Sequence, residues 1–149
     1  MYPVQTANFN GNTYRAGKYV GKMNGVDFEA WCVDISQVIY FNTDYVYELE
    51  DAPDTNMTDL MQAIGKFDLD GGVTSPSISA NTQLDIWKTI AGQVAGSVYP
   101  LSEGVRVRYL RNNSYQDLVT FSPVPEPMPL LLMGIALIGV GVISRKEIK

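Results

Sequence analysis

The two side chains of this sequence best suited to a chemical reaction are the thiol of Cys32 and the amide of Gln83. Cys32 is the only cysteine, and the sequence contains no histidine. A single cysteine cannot form an intramolecular disulfide. The absence of histidine removes Ser-His and Cys-His catalytic pairs and the commonest zinc ligand. We therefore predict a protein that is not an enzyme and that needs no metal and no cofactor.

A strand and a helix are the elements that would position these two groups. The segment 26–34 alternates polar and apolar residues and would carry the thiol. It follows Asn24-Gly25, a strong signal for a two-residue hairpin turn because both residues accept positive φ. The amide lies on a second predicted segment, whose apolar residues fall three or four apart as in a helix. Ser79 or Asn81 is the predicted cap of that helix.

The remaining segments predict an α+β domain that is mainly antiparallel β, either a sandwich or barrel-like, with a two-helix insertion. Short alternating or aromatic segments predict strands, and an N-cap signal before Leu60 predicts the first helix. The further predicted strands lie at 13–15, 18–23, 37–41, 45–49, 105–110 and 117–121, and the first helix, with its cap at 54–56, covers 60–64.

Two short motifs surround the thiol and the amide. They read Trp31-Cys32-Val33-Asp34 and Thr82-Gln83-Leu84-Asp85-Ile86-Trp87. Over about residues 14 to 90 this pattern resembles the thioester domains of bacterial surface proteins. The resemblance implies that the thiol attacks the glutamine amide, expels ammonia and leaves an internal thioester, an acyl donor that an amine can capture without histidine. It assigns Cys32 and Gln83 to the thioester, with Trp31, Asp34, Thr82, Ile86 and Trp87 as the supporting motif.

One departure from that family leaves a second interpretation open. Asp85 stands where the family usually has a small apolar residue, and its charge could raise the pKa of the thiol and hinder the reaction. In the alternative, the fold is the same but no bond forms. Cys32 is then a small buried hydrophobe and Gln83 an amide on the helix surface.

The C-terminal segment combines three signals in a fixed order. Pro125-Glu126-Pro127 is followed by 128–144, which contains no charge, and then by a basic end with Arg145, Lys146 and Lys149. This order resembles the PEP-CTERM sorting signal of exported bacterial proteins. The resemblance implies a short transmembrane helix, with the basic end cytoplasmic and everything before it outside. It also implies transient recognition of the Pro-Glu-Pro motif by a membrane-embedded exosortase, so that the tail is a temporary anchor.

These features divide the chain into three parts. We predict an extracytoplasmic β-rich module at 1–121, a Pro-rich linker at 122–127 and the sorting signal at 128–149. The first six residues show neither a basic start nor an apolar stretch of the kind that begins a secretory signal. If the protein is exported, its start is misassigned or the chain is a fragment or a processed form.

The charge of the chain limits the classes of partner that it could bind. The formal net charge of −5 argues against nucleic acid and against anionic lipid surfaces. The leading hypothesis is therefore surface adhesion through the thioester, with an amine on a partner as its target. The runner-up is a non-covalent component of an exopolysaccharide matrix, in which the tyrosines stack on sugars or simply fill half-buried positions. A third class, a secreted enzyme, has no clustered carboxylate pair to support it.

Two acidic patterns are weaker. Asp68 and Asp70 alternate before Gly71 as in part of a calcium loop, but the ligands that should follow are absent. The segment 48–54 is also acidic and could gather calcium at a cell surface. Both are more simply a loop that ends a helix and a solvated loop.

Overall fold

A computed structural model describes residues 5–40, 42–51, 59–100 and 104–123. The predicted helix cap at 54–56, the Pro125-Glu126-Pro127 motif, the apolar run and the basic end lie outside these residues. Neither helix within them has the length and apolar character needed to cross a membrane. The elements are β1 (Gln5–Phe9), β2 (Asn12–Ala16), β3 (Tyr19–Met23), β4 (Val26–Cys32), β5 (Glu48–Asp51), α1 (Asp59–Leu69), α2 (Pro76–Ile90), β6 (Val105–Arg111) and β7 (Leu118–Pro123).

The α+β class and the two-helix insertion are confirmed. Strands β1 and β2 form a separate antiparallel hairpin, and the other strands form a five-stranded antiparallel sheet in the order β3-β4-β7-β6-β5. Both helices lie between β5 and β6 in the chain. The sheet has two edge strands, β3 and β5, so within the described residues it is open rather than closed into a barrel.

Two Asn-Gly turns fix the hairpins. Asn24 and Gly25 have φ of 51° and 82°, as the predicted turn between β3 and β4 requires. Asn10 and Gly11, with φ of 49° and 81°, make the same turn between β1 and β2. Strand β1 was absent from the sequence prediction, although this second Asn-Gly pair carries the same signal.

Period-two alternation divides the apolar residues between the two faces of the sheet. In β6, Val105 and Val107 join the main core, whereas Leu110 lies in a smaller cluster with Ala30 and Leu118. The main core also takes in buried residues of both helices. A third cluster joins the β1–β2 hairpin to α2 and to the end of β4.

Helix α2 begins earlier than predicted. Its N-cap is Ser75, whose hydroxyl accepts a hydrogen bond from the backbone N–H of Ile78 at 3.3 Å, and Pro76 occupies the first turn. The prediction of Ser79 or Asn81 as the cap is therefore wrong. Ser79 lies inside the helix and is buried.

Three strand predictions also differ from the structure. Residues 37–40 are irregular rather than extended in a ladder, and the strand predicted at 45–49 is found at Glu48–Asp51. Tyrosine-rich segments satisfy strand propensity without pairing, because propensity is only a weak local preference. Strand β7 runs to Pro123 and so includes the first two residues of the predicted linker.

Candidate functional site

The fold brings Cys32 and Gln83 together in the interior. Cys32 is the last residue of β4, where it pairs with Leu118 of β7. Gln83 lies in the middle of α2, on the helix face that packs against the end of β4 and the β1–β2 hairpin. Both are fully buried, with 1% and 0% of their surface exposed. The expectation of a surface amide at Gln83 is wrong.

Two reciprocal hydrogen bonds hold the amide of Gln83 against the backbone of Cys32. The Cys32 N–H donates to Gln83 Oε1 at 3.0 Å, and Gln83 Nε2 donates to the Cys32 carbonyl at 2.7 Å. The side chain thus occupies the place of a neighbouring strand at the end of the β4 ladder. A buried amide with both of its ends paired has a fixed orientation.

The Cys32 thiol is protonated at neutral pH. Burial raises its pKa to about 12, and the nearby charges of Asp34 and Asp117 act in the same direction. The thiol donates a hydrogen bond to the Asp34 carbonyl at 3.2 Å. The Trp87 indole N–H lies near enough to favour the thiolate, but it is not well placed for a hydrogen bond to the sulfur and has no other acceptor in the described part of the chain.

An open cleft of about 410 Å³ lies next to this pair. Val33, Asp34 and Trp87 line it on the side of the thiol, while Arg111 and Asp117 add charge to its wall. Arg111 donates to the Asp117 carboxylate at 2.8 Å, and this contact raises the pKa of the arginine. The cleft thus combines an apolar surface beside the buried pair with acidic groups at its wall.

The supporting motif is divided between the two sides of β4. Trp87 packs with Cys32 and Phe9, whereas Trp31 and Ile86 belong to the main core. Thr82 is buried within hydrogen-bonding reach of the Tyr99 hydroxyl. The Asp34 carboxylate accepts hydrogen bonds from the backbone N–H of Ser36 at 2.8 Å and from its hydroxyl at 2.5 Å. The motif residues therefore hold the local structure, and only the Asp34 backbone and Trp87 lie at the thiol itself.

Asp85 is not the acid that raises the pKa of the thiol. Its buried carboxylate accepts hydrogen bonds from the backbone of Gly96 at 2.6 Å and Ser97 at 3.1 Å, and from the Tyr99 hydroxyl at 2.9 Å. These bonds tie the loop after α2 to the helix. Asp85 therefore anchors this loop.

Sequence reasoning missed the contribution of the β6–β7 region. The Gln116 amide donates to the Asp34 carbonyl at 2.8 Å, the same carbonyl that accepts from the thiol. The charge of Asp117 contributes to the raised pKa of the thiol. Neither residue lies in a recognisable motif, and both approach through pairings more than 80 residues apart, so no local signal could have identified them.

The acidic alternation at 68–70 does not form a calcium loop. Asp68 pairs with Lys18 at 3.0 Å, and Asp70 pairs with Lys66 at 2.5 Å. The two carboxylates are therefore committed to separate lysines rather than converging on one cation. Within the described residues no group of three or more acidic or cysteine side chains is placed to hold a metal ion.

Comparison of the chain with known proteins finds no family model, no curated protein and no solved structure that matches it.

Proposed function

We propose that the chain is an exported protein of the bacterial cell surface or extracellular matrix, in which Cys32 and Gln83 form an internal thioester. The carrying observation is the pair of hydrogen bonds that fixes the Gln83 amide against Cys32 inside the core. A buried position protects a thioester from water until a nucleophile enters the neighbouring cleft. An amine on a partner molecule would be the acceptor, and the protein would not be an enzyme, since its thioester is used once.

The bond balances without a cofactor. The Cys32 sulfur attacks Cδ of Gln83, the bond from Cδ to Nε2 breaks, and the thiol proton leaves with the nitrogen as ammonia. The Cys32 N–H already donates to Oε1, where negative charge develops during the attack. Because the pKa of the thiol is about 12, proton loss must accompany the attack rather than precede it. Capture of an amine then forms an amide at Gln83 and returns the thiol.

The cleft supports an amine as the acceptor. A primary amine on an aliphatic stem matches the apolar wall at Val33, and the carboxylate of Asp34 favours an approaching ammonium group, whereas Asp117 is paired with Arg111. Trp87 lines this cleft and also packs in one cluster with Cys32, which does not itself line the cleft. Access to the thioester would therefore require a small displacement of that side chain.

The C-terminal signal supports the export part of the proposal. An exosortase would bind Pro125-Glu126-Pro127 transiently while the apolar segment 128–144 spans the membrane. The basic residues Arg145, Lys146 and Lys149 would stay on the cytoplasmic side. The protein would thus be anchored by its C-terminus before it is sorted to the surface or released.

A different observation favours the alternative, a non-covalent matrix protein. The ring centroid of Tyr45 lies 4.6 Å from that of Tyr115 and 6.2 Å from that of Tyr47. Its hydroxyl forms hydrogen bonds with the backbone of Tyr40. Tyr40 is 62% exposed, and Tyr115 is 37% exposed. Exposed aromatic rings are suited to stacking on the apolar faces of sugars in an exopolysaccharide.

One experiment tests both parts of the proposal. The full chain is expressed behind a cleavable export signal in a bacterium that has an exosortase, beside Cys32→Ala, and its intact mass is measured. A thioester makes the parent lighter by one ammonia, and methylamine then adds its full mass. Cys32→Ala shows no loss of ammonia and takes up no methylamine. Removal of the tail appears separately, as loss of the segment that follows the Pro-Glu-Pro region.

The outcomes are separable. A parent that shows no loss of ammonia relative to Cys32→Ala and forms no methylamine adduct overturns the thioester and leaves the matrix protein. Retention on exopolysaccharide should then fall in Tyr40→Ala and be unchanged in Cys32→Ala. An intact tail in a host whose own substrates are processed overturns the sorting proposal. Either result stands without the other.

A further inference from the structure

A buried contact between an amine and a carboxyl group lies on the other face of β4. Lys18 precedes β3, and its Nζ is 3.0 Å from Asp68 Oδ1 and 2.6 Å from Glu29 Oε2. The side chains of Lys18 and Asp68 are only 9% and 6% exposed, whereas that of Glu29 is 54% exposed. One amine is therefore enclosed by two carboxylates, one of which reaches solvent.

Further hydrogen bonds hold the Asp68 carboxylate and the backbone of Lys18 in place. The Trp31 indole N–H donates to Asp68 Oδ2 at 2.8 Å, which leaves Oδ1 facing the amine. The backbone N–H of Lys18 donates to the Ser79 hydroxyl of α2 at 2.9 Å. The amine and the carboxyl group thus have little freedom to separate, which is the condition for a large effective concentration.

We propose that Lys18 and Asp68 condense into an intramolecular amide, with Glu29 as the proton carrier. Glu29 takes a proton from Lys18 Nζ, and the neutral amine attacks Cγ of Asp68. The bond from Cγ to Oδ1 breaks, and this oxygen leaves as water with the protons that Glu29 and the amine supply. An ammonium and a carboxylate become one amide and one water, so charge and atoms balance without a co-reactant.

The environment favours the product. A buried ion pair keeps its desolvation cost as long as both charges remain, whereas a neutral amide carries neither charge. Trp31 continues to donate to Oδ2, which becomes the amide oxygen and holds the negative charge during the attack. The half-exposed Glu29 provides a route by which the released water leaves. The amide would join β3 to α1 across a separation of 50 residues.

Two other lysine–aspartate pairs provide internal controls. Lys22 lies 2.7 Å from Asp27, and Lys66 lies 2.5 Å from Asp70, but all four side chains are at least 42% exposed. Hydration stabilises both ions in these pairs, so we expect no amide there. All three pairs are in direct contact, and the burial of both side chains distinguishes Lys18–Asp68. A fourth pair, Lys88–Asp85, is 25% and 2% exposed, but its two atoms are 3.8 Å apart.

The test uses the full chain with Cys32→Ala, in which no ammonia can be lost through the thiol. We expect its intact mass to be lower by one water, and proteolytic mapping to yield one branched peptide that joins the segments around Lys18 and Asp68. Lys18→Arg keeps the positive charge but offers no primary amine, so the full mass returns. Lys22→Arg is the matched control and keeps the loss. Glu29→Gln should slow the bond at least tenfold in a time course from the refolded chain.

Loss of water from Asp70-Gly71 as a cyclic imide would give the same mass change. It is distinguished because it persists in Lys18→Arg, disappears in Asp70→Glu and produces no branched peptide. Full mass in the folded Cys32→Ala chain, or a water loss that Lys18→Arg retains, overturns the amide. Should Lys18→Arg fail to fold, the peptide map of the Cys32→Ala chain decides by itself. None of these outcomes depends on the thioester, which is absent from the test protein.

Discussion

The contacts at Cys32–Gln83 and at Lys18–Asp68 lie on opposite faces of β4 and differ in charge and in access to water. Cys32 and Gln83 are neutral, and both are sealed from solvent. Before the proposed amide forms, Lys18 and Asp68 are ionic, and Glu29 connects them to solvent. The difference shows two ways in which polar side chains can be buried beside one strand. A neutral amide is satisfied by backbone alone, but a charge needs an opposite charge beside it.

The largest effect should come from removing one charge of the ionic contact. Lys18→Met keeps the aliphatic stem but leaves Asp68 buried, with the Trp31 N–H as its remaining partner among the described contacts. Relative to the parent before the proposed amide forms, identified by its intact mass, we expect the free energy of unfolding to fall by about 4 kcal/mol, as for a buried pair that loses one partner. Urea unfolding followed by tryptophan fluorescence measures it.

The exposed pair supplies the control for that substitution. Lys22→Met removes the same charge from a pair whose side chains are 68% and 80% exposed, and it should cost less than about 1 kcal/mol. Equal losses in the two variants would show that burial of Lys18 and Asp68 does not set their energy, and would remove the contrast between the two faces of β4.

The two contacts also differ in how far the sequence could reveal them. Cys32 and Gln83 stand in motifs, and the strand and helix that carry them follow from alternation and from helical spacing. Lys18 and Asp68 stand in no motif. The sequence pattern places Asp68 in part of a calcium loop, because only the tertiary fold shows that the lysine before β3 reaches the end of α1. Local rules found the turns and most strands, but they could not find a pair separated by 50 residues.

The same limit explains the errors in the elements. Ser79 and Asn81 are both favourable cap residues and therefore predict the cap of α2 there, yet Pro76 starts the helix and Ser75 precedes it. Ser79 does not cap the helix; its hydroxyl instead accepts a hydrogen bond from the backbone N–H of Lys18. Asp85 likewise has no local signal for its role, since its loop partners follow 11 to 14 residues later in irregular chain.

An intermediate effect is expected at the neutral contact. Gln83→Met preserves the volume of the side chain but leaves the Cys32 N–H and carbonyl without their partners. Two buried unsatisfied groups should lower the free energy of unfolding by about 3 kcal/mol. Cys32→Ala keeps the backbone bonds to the amide and should cost only about 1 kcal/mol, again by urea unfolding. A larger loss in Cys32→Ala than in Gln83→Met would mean that the thiol, and not the amide, holds this face together.

The smallest of the three main effects appears at alkaline pH and comes from the thiol of Cys32. The pKa of Cys32 rises from an ordinary value of 9.0 to about 12 on folding, so between these values the unfolded chain has released a proton that the folded chain keeps. Stability from this group is complete below about pH 9 and falls by about 1.4 kcal/mol per pH unit above it. Urea unfolding at about pH 8 and pH 10 measures this on the thiol form, identified by its intact mass. We expect the difference between parent and Cys32→Ala to change by about 1.4 kcal/mol. A chain whose thiol has become a thioester has nothing to titrate and should follow Cys32→Ala. A thiol form that does so as well would show that the thiol ionises as readily in the folded chain as in the unfolded one, and that the face of β4 carrying Cys32 is open to water.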